Sequence, residues 1–256
     1  MGALQVGASR TALATVVDGR GRSVVDIEPD DFVVRETGQT REVLSIRVAD
    51  YPIAVVLDND ATGATDFDAI RDAAGRFVGR VGHRPISIAL TTPPRLVATF
   101  DDDRATVLDR LAATGPGPSG SGLLEAIVIA ARALTDTGSL FSVIVVVSGN
   151  PPAGPSSAAL TPILESGAAV HVIVNGTSSG AGPPADVLRG MADQTRGQFT
   201  SIYSAVSYTA ALERLADRLA PQLLVEYVVP VGSSSGNDVQ LGVKIPGARV
   251  IGFGVK

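Results

Sequence analysis

The sequence contains no cysteine and no tryptophan, only two histidines, and just 4% aromatic residues. Without cysteine the chain has no disulfide, no thiolate metal site and no thiol nucleophile. The scarcity of aromatic residues disfavours stacking surfaces for bases or sugars. The net charge is −5 and no basic run occurs, so nucleic acid and anionic membranes are disfavoured as partners.

Long hydrophobic runs are also missing, although 45% of the residues are hydrophobic. A helix that spans a bilayer needs about 20 apolar residues, and no run in this sequence approaches that length. The first residues, "MGALQVGASR", lack the charged and apolar regions of a signal peptide. We therefore expect a chain that folds around a sizeable core and has no membrane span.

The chain has a middle of alternating strands and helices between two β-rich ends. Continuous apolar runs such as "IAVVLD", "VIVVVS" and "VHVIVN" predict strands buried on both faces of a parallel sheet. Segments with helical spacing follow them, and "PISIALTTPPRLVATF" predicts a hairpin at a sheet edge. We divide the chain into an N-terminal β segment (1–51), an α/β domain (52–221) and a C-terminal β segment (222–256) that packs with the first.

The first buried strand is followed by Asp58-Asn59-Asp60-Ala61-Thr62, which places two carboxylates and a hydroxyl on one loop. In open α/β sheets, ligands bind outside the carboxyl ends of the strands. The same edge is expected to receive the ends of three other strands and the glycine-rich loop 115–122, which contribute Thr91, Ser148, Asn175, Ser119 and Ser121. An edge rich in oxygen atoms and poor in bases favours Mg²⁺ or Ca²⁺ over phosphate. The loop also suits a helix N-cap, and spacing alone does not decide between cap and metal ligand.

The order of these elements resembles that of the von Willebrand factor A domain. The resemblance covers about residues 53–220 and rests on a strand, an acidic loop, a helix, an edge hairpin, a glycine-rich loop with a hydroxyl, and a buried helix. The flanking segments resemble those of bacterial secreted proteins related to this family. The resemblance implies an α/β fold: a three-layer Rossmann-like domain with a mostly parallel sheet, plus a small β module built from the N- and C-terminal segments.

The family carries a metal-ion-dependent adhesion site, which the resemblance maps onto this chain residue by residue. Asp58 matches the first ligand, and Asp60 and Thr62 stand where two serines are usual. Ser121 matches the hydroxyl of the second loop, whereas the aspartate of the third loop is replaced at Gly149. The resemblance therefore implies a site for Mg²⁺ or Ca²⁺ at Asp58, Asp60, Thr62 and Ser121 that lacks one carboxylate. It leaves open whether any cation binds.

The function implied by the resemblance is non-catalytic. We expect a protein-binding module of the adhesion type, in an exported bacterial protein that is extracellular or periplasmic after removal of a signal peptide. Its protein ligand is expected to bind at the rim of the sheet near Asp58. A structural scaffold with a vestigial metal site is a further alternative within the same family.

A phosphatase is the alternative from another class. The stretch "VVLDNDATG" matches the nucleophile motif of haloacid dehalogenase-like phosphohydrolases, in which Asp58 would attack phosphorus, Asp60 would act as general acid/base and Mg²⁺ would neutralise charge. That chemistry needs a downstream base for the phosphoryl oxygens and a later strand that ends in acids. The only lysines are Lys244 and Lys256, and "VHVIVNG" ends without an acid. We therefore prefer the non-catalytic interpretation.

A formal G-x-G-x-x-G motif occurs at residues 115–120, within "GPGPSG". It follows a predicted helix instead of a strand, and its prolines remove amide donors that a pyrophosphate would need. A dinucleotide site is therefore not predicted, and no catalytic residue is assigned.

Overall fold

The computed structural model describes residues 8–60, 64–120, 122–149, 157–176, 183–232 and 238–256. The chain forms two compact units. One consists of the chain up to Ala49 together with Arg218–Lys256, and the other is Asp50–Asp217.

The Asp50–Asp217 unit is built around a six-stranded sheet. Its strands are β5 (Ile53–Leu57), β6 (Ile86–Thr91), β7 (Pro94–Ala98), β8 (Val143–Ser148), β9 (Ala169–Asn175) and β10 (Phe199–Ile202). They lie in the order β10-β9-β8-β5-β6-β7, in which β7 is antiparallel to β6 and the other neighbours are parallel. This mostly parallel sheet confirms the predicted α/β fold, and β7 confirms the predicted edge hairpin.

Helices flank this sheet. They are α1 (Ala64–Arg80), α2 (Arg104–Ala112), α3 (Leu123–Asp136), α4 (Ser157–Glu165), α5 (Pro183–Gln194) and α6 (Ser207–Leu219). None of the helices among the described residues combines the length and apolarity needed to cross a bilayer.

Both faces of the central strand β5 are buried, which explains its uninterrupted apolar sequence. Ala54 and Val56 belong to a core cluster on one face of the sheet, in which they pack with buried residues of α3, α4 and α5. Side chains alternate between the two faces of a strand. The opposite face is therefore formed by residues that are also fully buried, namely Ile53, Val55 and Leu57.

The other unit is a small β module with two sheets. Its elements are β1 (Ala8–Val17), a 3₁₀ turn (Pro29–Asp31), β2 (Phe32–Glu36), β3 (Gln39–Arg41), β4 (Val43–Val48), β11 (Leu223–Val229), β12 (Val239–Val243) and β13 (Arg249–Val255). One sheet has the order β13-β1-β11-β4 and the other β12-β2-β3. Each sheet combines strands from both terminal segments, which is the arrangement predicted for the two β-rich ends.

A buried ionic cluster lies inside this β module. Glu36, which is fully buried, forms ion pairs with Arg10 and with the Nε of Arg41, the latter at 3.3 Å. Tyr227 lies opposite Arg10 in the register of β1 and β11, and burial raises the pKa of its hydroxyl. Glu36 is thus the carboxylate that balances two largely buried guanidinium groups.

Candidate functional site

Asp58 lies at the carboxyl end of β5, between the ends of the two neighbouring strands. Its Oδ1 accepts a hydrogen bond from the Thr91 hydroxyl at 3.1 Å, and its Oδ2 accepts one from the Ser148 hydroxyl at 2.6 Å. Thr91 is the last residue of β6 and Ser148 the last of β8, the strands that flank β5. Asp58 is only 8% exposed, so neighbouring hydroxyls stabilise a carboxylate that has little access to water.

Asn59 joins the first loop, of which residues 58–60 are described, to the end of β6 by hydrogen bonds. Its Oδ1 accepts hydrogen bonds from the backbone N–H groups of Thr91 at 3.1 Å and Thr92 at 2.8 Å, and from the Thr92 hydroxyl at 3.1 Å. Its Nδ2 donates to the carbonyl oxygens of Thr92 at 3.1 Å and Gly115 at 3.4 Å. With 2% of its surface exposed, Asn59 acts as a buried connector between three segments of the chain. No role was predicted for Asn59, although the sequence does show an amide between two carboxylates directly after a buried strand.

The glycine-rich loop lies against the first loop, as expected from the sequence. The Gly117 N–H donates to the Asn59 carbonyl oxygen at 2.6 Å, and the Gly120 N–H donates to Asp60 Oδ2 at 3.2 Å. A Cβ atom at Gly117 would overlap the Thr92 carbonyl oxygen, so this close approach requires glycine.

The third loop begins at Ser148 and Gly149, where the resemblance leads us to expect an aspartate. Among the described residues, a Cβ atom at Gly149 would make one ordinary contact, 3.9 Å from the Tyr208 hydroxyl. Tyr208, fully buried near the start of α6, donates a hydrogen bond to the Ser148 carbonyl oxygen at 3.2 Å. Sequence analysis missed Tyr208, because nothing in its helical pattern separates it from a core residue.

The described residues include only part of the predicted site. Asp58 and Asp60 lie on the first loop, and Thr91 and Ser148 bond to Asp58. Thr62 and Ser121, the other two predicted ligands, lie outside the described residues. Asn175 ends β9, which is separated from β5 by β8.

The oxygen donors at this edge are of the type that Mg²⁺ and Ca²⁺ prefer. Within the described ranges, however, no group of three or more His, Cys, Asp or Glu side chains could hold a metal ion. Asp58 and Asp60 supply two carboxylates, and Gly149 supplies none. Both oxygens of Asp58 accept hydrogen bonds from hydroxyl groups, which partly replace the water lost on burial. The described part of the chain therefore does not complete the ligand set that the resemblance implies.

We expect the substitution Asn59→Asp to loosen the contact between the first loop and its neighbours. The two side chains have nearly the same shape, but a carboxylate oxygen would replace Nδ2 opposite the Thr92 and Gly115 carbonyl oxygens. Loss of these donors should cost about 1–3 kcal/mol of the free energy of unfolding. Hydrogen exchange of the Thr91, Thr92 and Gly117 amides should accelerate as the free energy of unfolding falls.

The matched control for Asn59→Asp is the reverse exchange at the next residue, Asp60→Asn. An asparagine at position 60 keeps an oxygen that can accept a hydrogen bond from the Gly120 N–H. The Thr91, Thr92 and Gly117 amides should therefore keep their protection from hydrogen exchange. Equal protection in Asn59→Asp and wild type would show that Asn59 does not hold the loops together.

Comparison with known proteins gives matches in structure and none in sequence. A scan against protein-family models finds no match, and neither does a search of curated proteins. Among solved structures, a protein described as von Willebrand factor type A from Catenulispora acidiphila is 11% identical. That match covers 98% of this chain and 74% of the other, with a TM-score of 0.55.

Two further structures match the chain over about two thirds of its length. Proximal thread matrix protein 1 from the mussel byssus is 14% identical over 70% of this chain, with a TM-score of 0.54, and the match spans 49% of that protein. Another structure of the mussel protein is described with a zinc-occupied MIDAS motif. The vWF domain of the type V pili tip protein Mfa5 from Porphyromonas gingivalis is 11% identical over 67% of this chain and 95% of its own, with a TM-score of 0.54. The chain thus has the fold of a von Willebrand factor A domain.

Proposed function

We propose that this chain is a non-catalytic protein-binding module whose ligand binds at the carboxyl edge of the six-stranded sheet, near Asp58 and Asp60. The proposal rests on the hydrogen bonds that join three segments of the chain at this edge. Asn59 bonds to Thr91, Thr92 and Gly115, and Gly117 and Gly120 bond back to the first loop. A surface that is already ordered loses little conformational entropy when a partner binds.

The structural neighbours support an interaction role outside the cytoplasm. One is named as a pilus tip protein and another as a thread matrix protein, both descriptions of extracellular assemblies. We extend this role and location to the present chain as part of the proposal. The ligand is expected to be a protein.

The arrangement around Asp58 supports binding without a metal ion. The Thr91 and Ser148 hydroxyls already partner both carboxylate oxygens, and the third loop has Gly149 in place of an aspartate. The competing proposal is a cation held by Asp58, Asp60, Thr62 and Ser121.

Calorimetric titration of chelator-treated protein with Mg²⁺, Ca²⁺ and Mn²⁺ tests the metal question. We expect no binding in the millimolar range by the wild type. The substitution Gly149→Asp should create binding, because it restores the missing carboxylate at a position whose Cβ would lie 3.9 Å from the nearest described atom, the Tyr208 hydroxyl. Adding Asp58→Asn to Gly149→Asp should abolish the new binding.

Tight binding of a cation by the wild type, lost in Asp58→Asn, would instead establish the metal-dependent site. Thermal denaturation of each variant provides the folding control.

A random peptide library displayed on phage tests the binding proposal. Peptides selected on the folded protein should lose affinity for Asp60→Asn and for Asp58→Asn, and their binding should persist in the presence of chelator. Binders that are indifferent to both substitutions would place the interaction surface elsewhere. Hydrolysis of an aryl phosphate that is lost in Asp58→Asn would replace the proposal by the phosphohydrolase alternative.

A further inference from the structure

Exposed prolines occur on two neighbouring loops at the carboxyl edge of the six-stranded sheet. Pro93 lies in the turn between β6 and β7, and Pro116 and Pro118 lie in the glycine-rich loop. All three are exposed. Apolar side chains that lie together on a surface are typical of places where another molecule binds.

The three prolines surround one close contact between the two loops. Gly117 approaches Thr92 so closely that a Cβ atom at position 117 would lie 2.2 Å from the Thr92 carbonyl oxygen. Pro93 directly follows Thr92, and Pro116 and Pro118 are the two sequence neighbours of Gly117. Because consecutive Cα atoms are about 3.8 Å apart or less, the three prolines belong to one small area of the surface.

Hydrogen bonds fix the backbone of the glycine-rich loop on either side of Pro116. Before it, Arg71 of α1 donates to the Thr114 carbonyl oxygen at 3.1 Å. After it, the Gly117 N–H donates to the Asn59 carbonyl oxygen at 2.6 Å. Because the backbone is already held in place, the exposed prolines can contact a partner with little loss of conformational entropy.

The stretch Pro116-Gly117-Pro118 offers a partner hydrogen-bond acceptors and no free donor. Proline has no N–H group, and the Gly117 N–H is used by Asn59. The carbonyl oxygens of these three residues accept no hydrogen bond from another described residue. A partner that pairs with this stretch must therefore bring the donors.

The charged side chains next to the prolines have both signs. Arg71 bonds to the glycine-rich loop, and Arg95 bonds to the Pro93 carbonyl oxygen at 3.5 Å. Asp60 accepts a hydrogen bond from the Gly120 N–H at 3.2 Å. With both signs present, charge does not select the partner, so apolar contact and hydrogen-bond donation are left to do so.

We infer that Pro93, Pro116 and Pro118 form the contact surface for a protein partner that inserts tryptophan or tyrosine side chains. Aromatic rings pack on proline rings, as they do in the grooves that recognise proline-rich segments. The indole N–H or the phenol O–H supplies the donor that the carbonyl oxygens of the loop lack. This inference rests on the proposed function, because it assigns the partner chemistry of the same edge.

The phage-displayed random peptide library described above also tests this inference. Peptides that bind the wild type should be enriched in tryptophan and tyrosine. The affinity of a synthetic peptide from this set should fall by about tenfold or more in the double variant Pro116→Ala/Pro118→Ala, as for truncation of a central contact. Phenylalanine in place of the tryptophan or tyrosine of the peptide should also weaken binding, because the ring is kept and the donor is lost.

Hydrogen exchange shows whether the double variant keeps its loop in place. The bond from the Gly117 N–H to Asn59 involves neither proline, so the Gly117 amide should stay protected while the peptide affinity falls. Loss of affinity together with loss of this protection would refute the inference, because the prolines would then act through the rigidity of the loop.

Pro246→Ala is the matched control. Pro246 is also exposed and also precedes a glycine, but it belongs to the β module, so its substitution should leave peptide binding unchanged. Peptides that lose affinity for Asp60→Asn but bind the double proline variant like the wild type would refute this inference and leave the proposed function standing. The absence of any peptide whose binding depends on residues of this edge would refute both.

Discussion

Replacing Gly117 with alanine is expected to displace the glycine-rich loop and abolish binding at the carboxyl edge. The new Cβ atom would overlap the carbonyl oxygen and hydroxyl of Thr92 and lie 2.7 Å from Nδ2 of Asn59. Backbone oxygen cannot rotate away as a flexible side chain does, so the loop itself must move. Overpacking of this kind costs about 1–3 kcal/mol, equivalent to a fall in melting temperature of roughly 2–12 °C for a chain of this size.

The loop contains its own controls for Gly117→Ala. Within the part of the chain that the structure describes, a Cβ atom at Gly115 would have no neighbour within 4 Å, and one at Gly120 would make an ordinary contact with Thr92 at 3.7 Å. Gly115→Ala and Gly120→Ala should therefore leave the melting temperature close to wild type. If Gly117→Ala, Gly115→Ala and Gly120→Ala lowered the melting temperature equally, general loop flexibility and not close packing at Gly117 would account for the loss of stability.

Replacing Glu36 with glutamine is expected to destabilise the β module by about 3–5 kcal/mol, the usual cost of removing one partner from a buried ion pair. Glutamine has nearly the same shape but leaves Arg10 and Arg41 without their shared counter-charge. Arg41 has little room to adapt, since its Nη2 is buried and has no hydrogen-bond partner among the described residues. Urea denaturation, followed by hydrogen exchange of the amides in β1 and β11, measures the loss.

Glu42→Gln is the control for Glu36→Gln, because Glu42 is next to Arg41 in sequence but exposed. Surface substitutions of this kind change stability by less than about 0.5 kcal/mol. A similar effect of the two substitutions would mean that the Glu36 ion pairs contribute no more than an exposed charge.

The order and type of the elements could be predicted because they depend on local patterns. The apolar run of β5 is buried on both faces, and the acids after it mark the end of that strand within a few residues. The position of Asp58 at the carboxyl edge follows directly from that strand. The location of Asp58 was therefore accessible from the sequence, whereas its chemical role stays a prediction.

The partners of the site residues could not be predicted, because they come from distant parts of the chain. Asn59 bonds to Thr91, 32 positions away, and to Gly115, 56 positions away. Whether an amide faces these groups or the solvent depends on how the sheet assembles. Glu36 is a similar case: "DFVVRE" predicts a strand, but the burial of its glutamate against Arg10 follows only from the packing of the β module.

The strand order of the β module has a consequence for synthesis on the ribosome. Strand β1 lies between β11 and β13, and residues paired across β1 and β11, such as Ser9 and Glu226, are 217 positions apart. At a translation rate of 5–20 residues per second, β1 waits roughly 10–40 s before its first sheet partner emerges. The Asp50–Asp217 unit is synthesised during that interval, while β1 exposes two unpaired edges that can associate with other chains. A chaperone that binds extended apolar segments would therefore act on the nascent chain at β1.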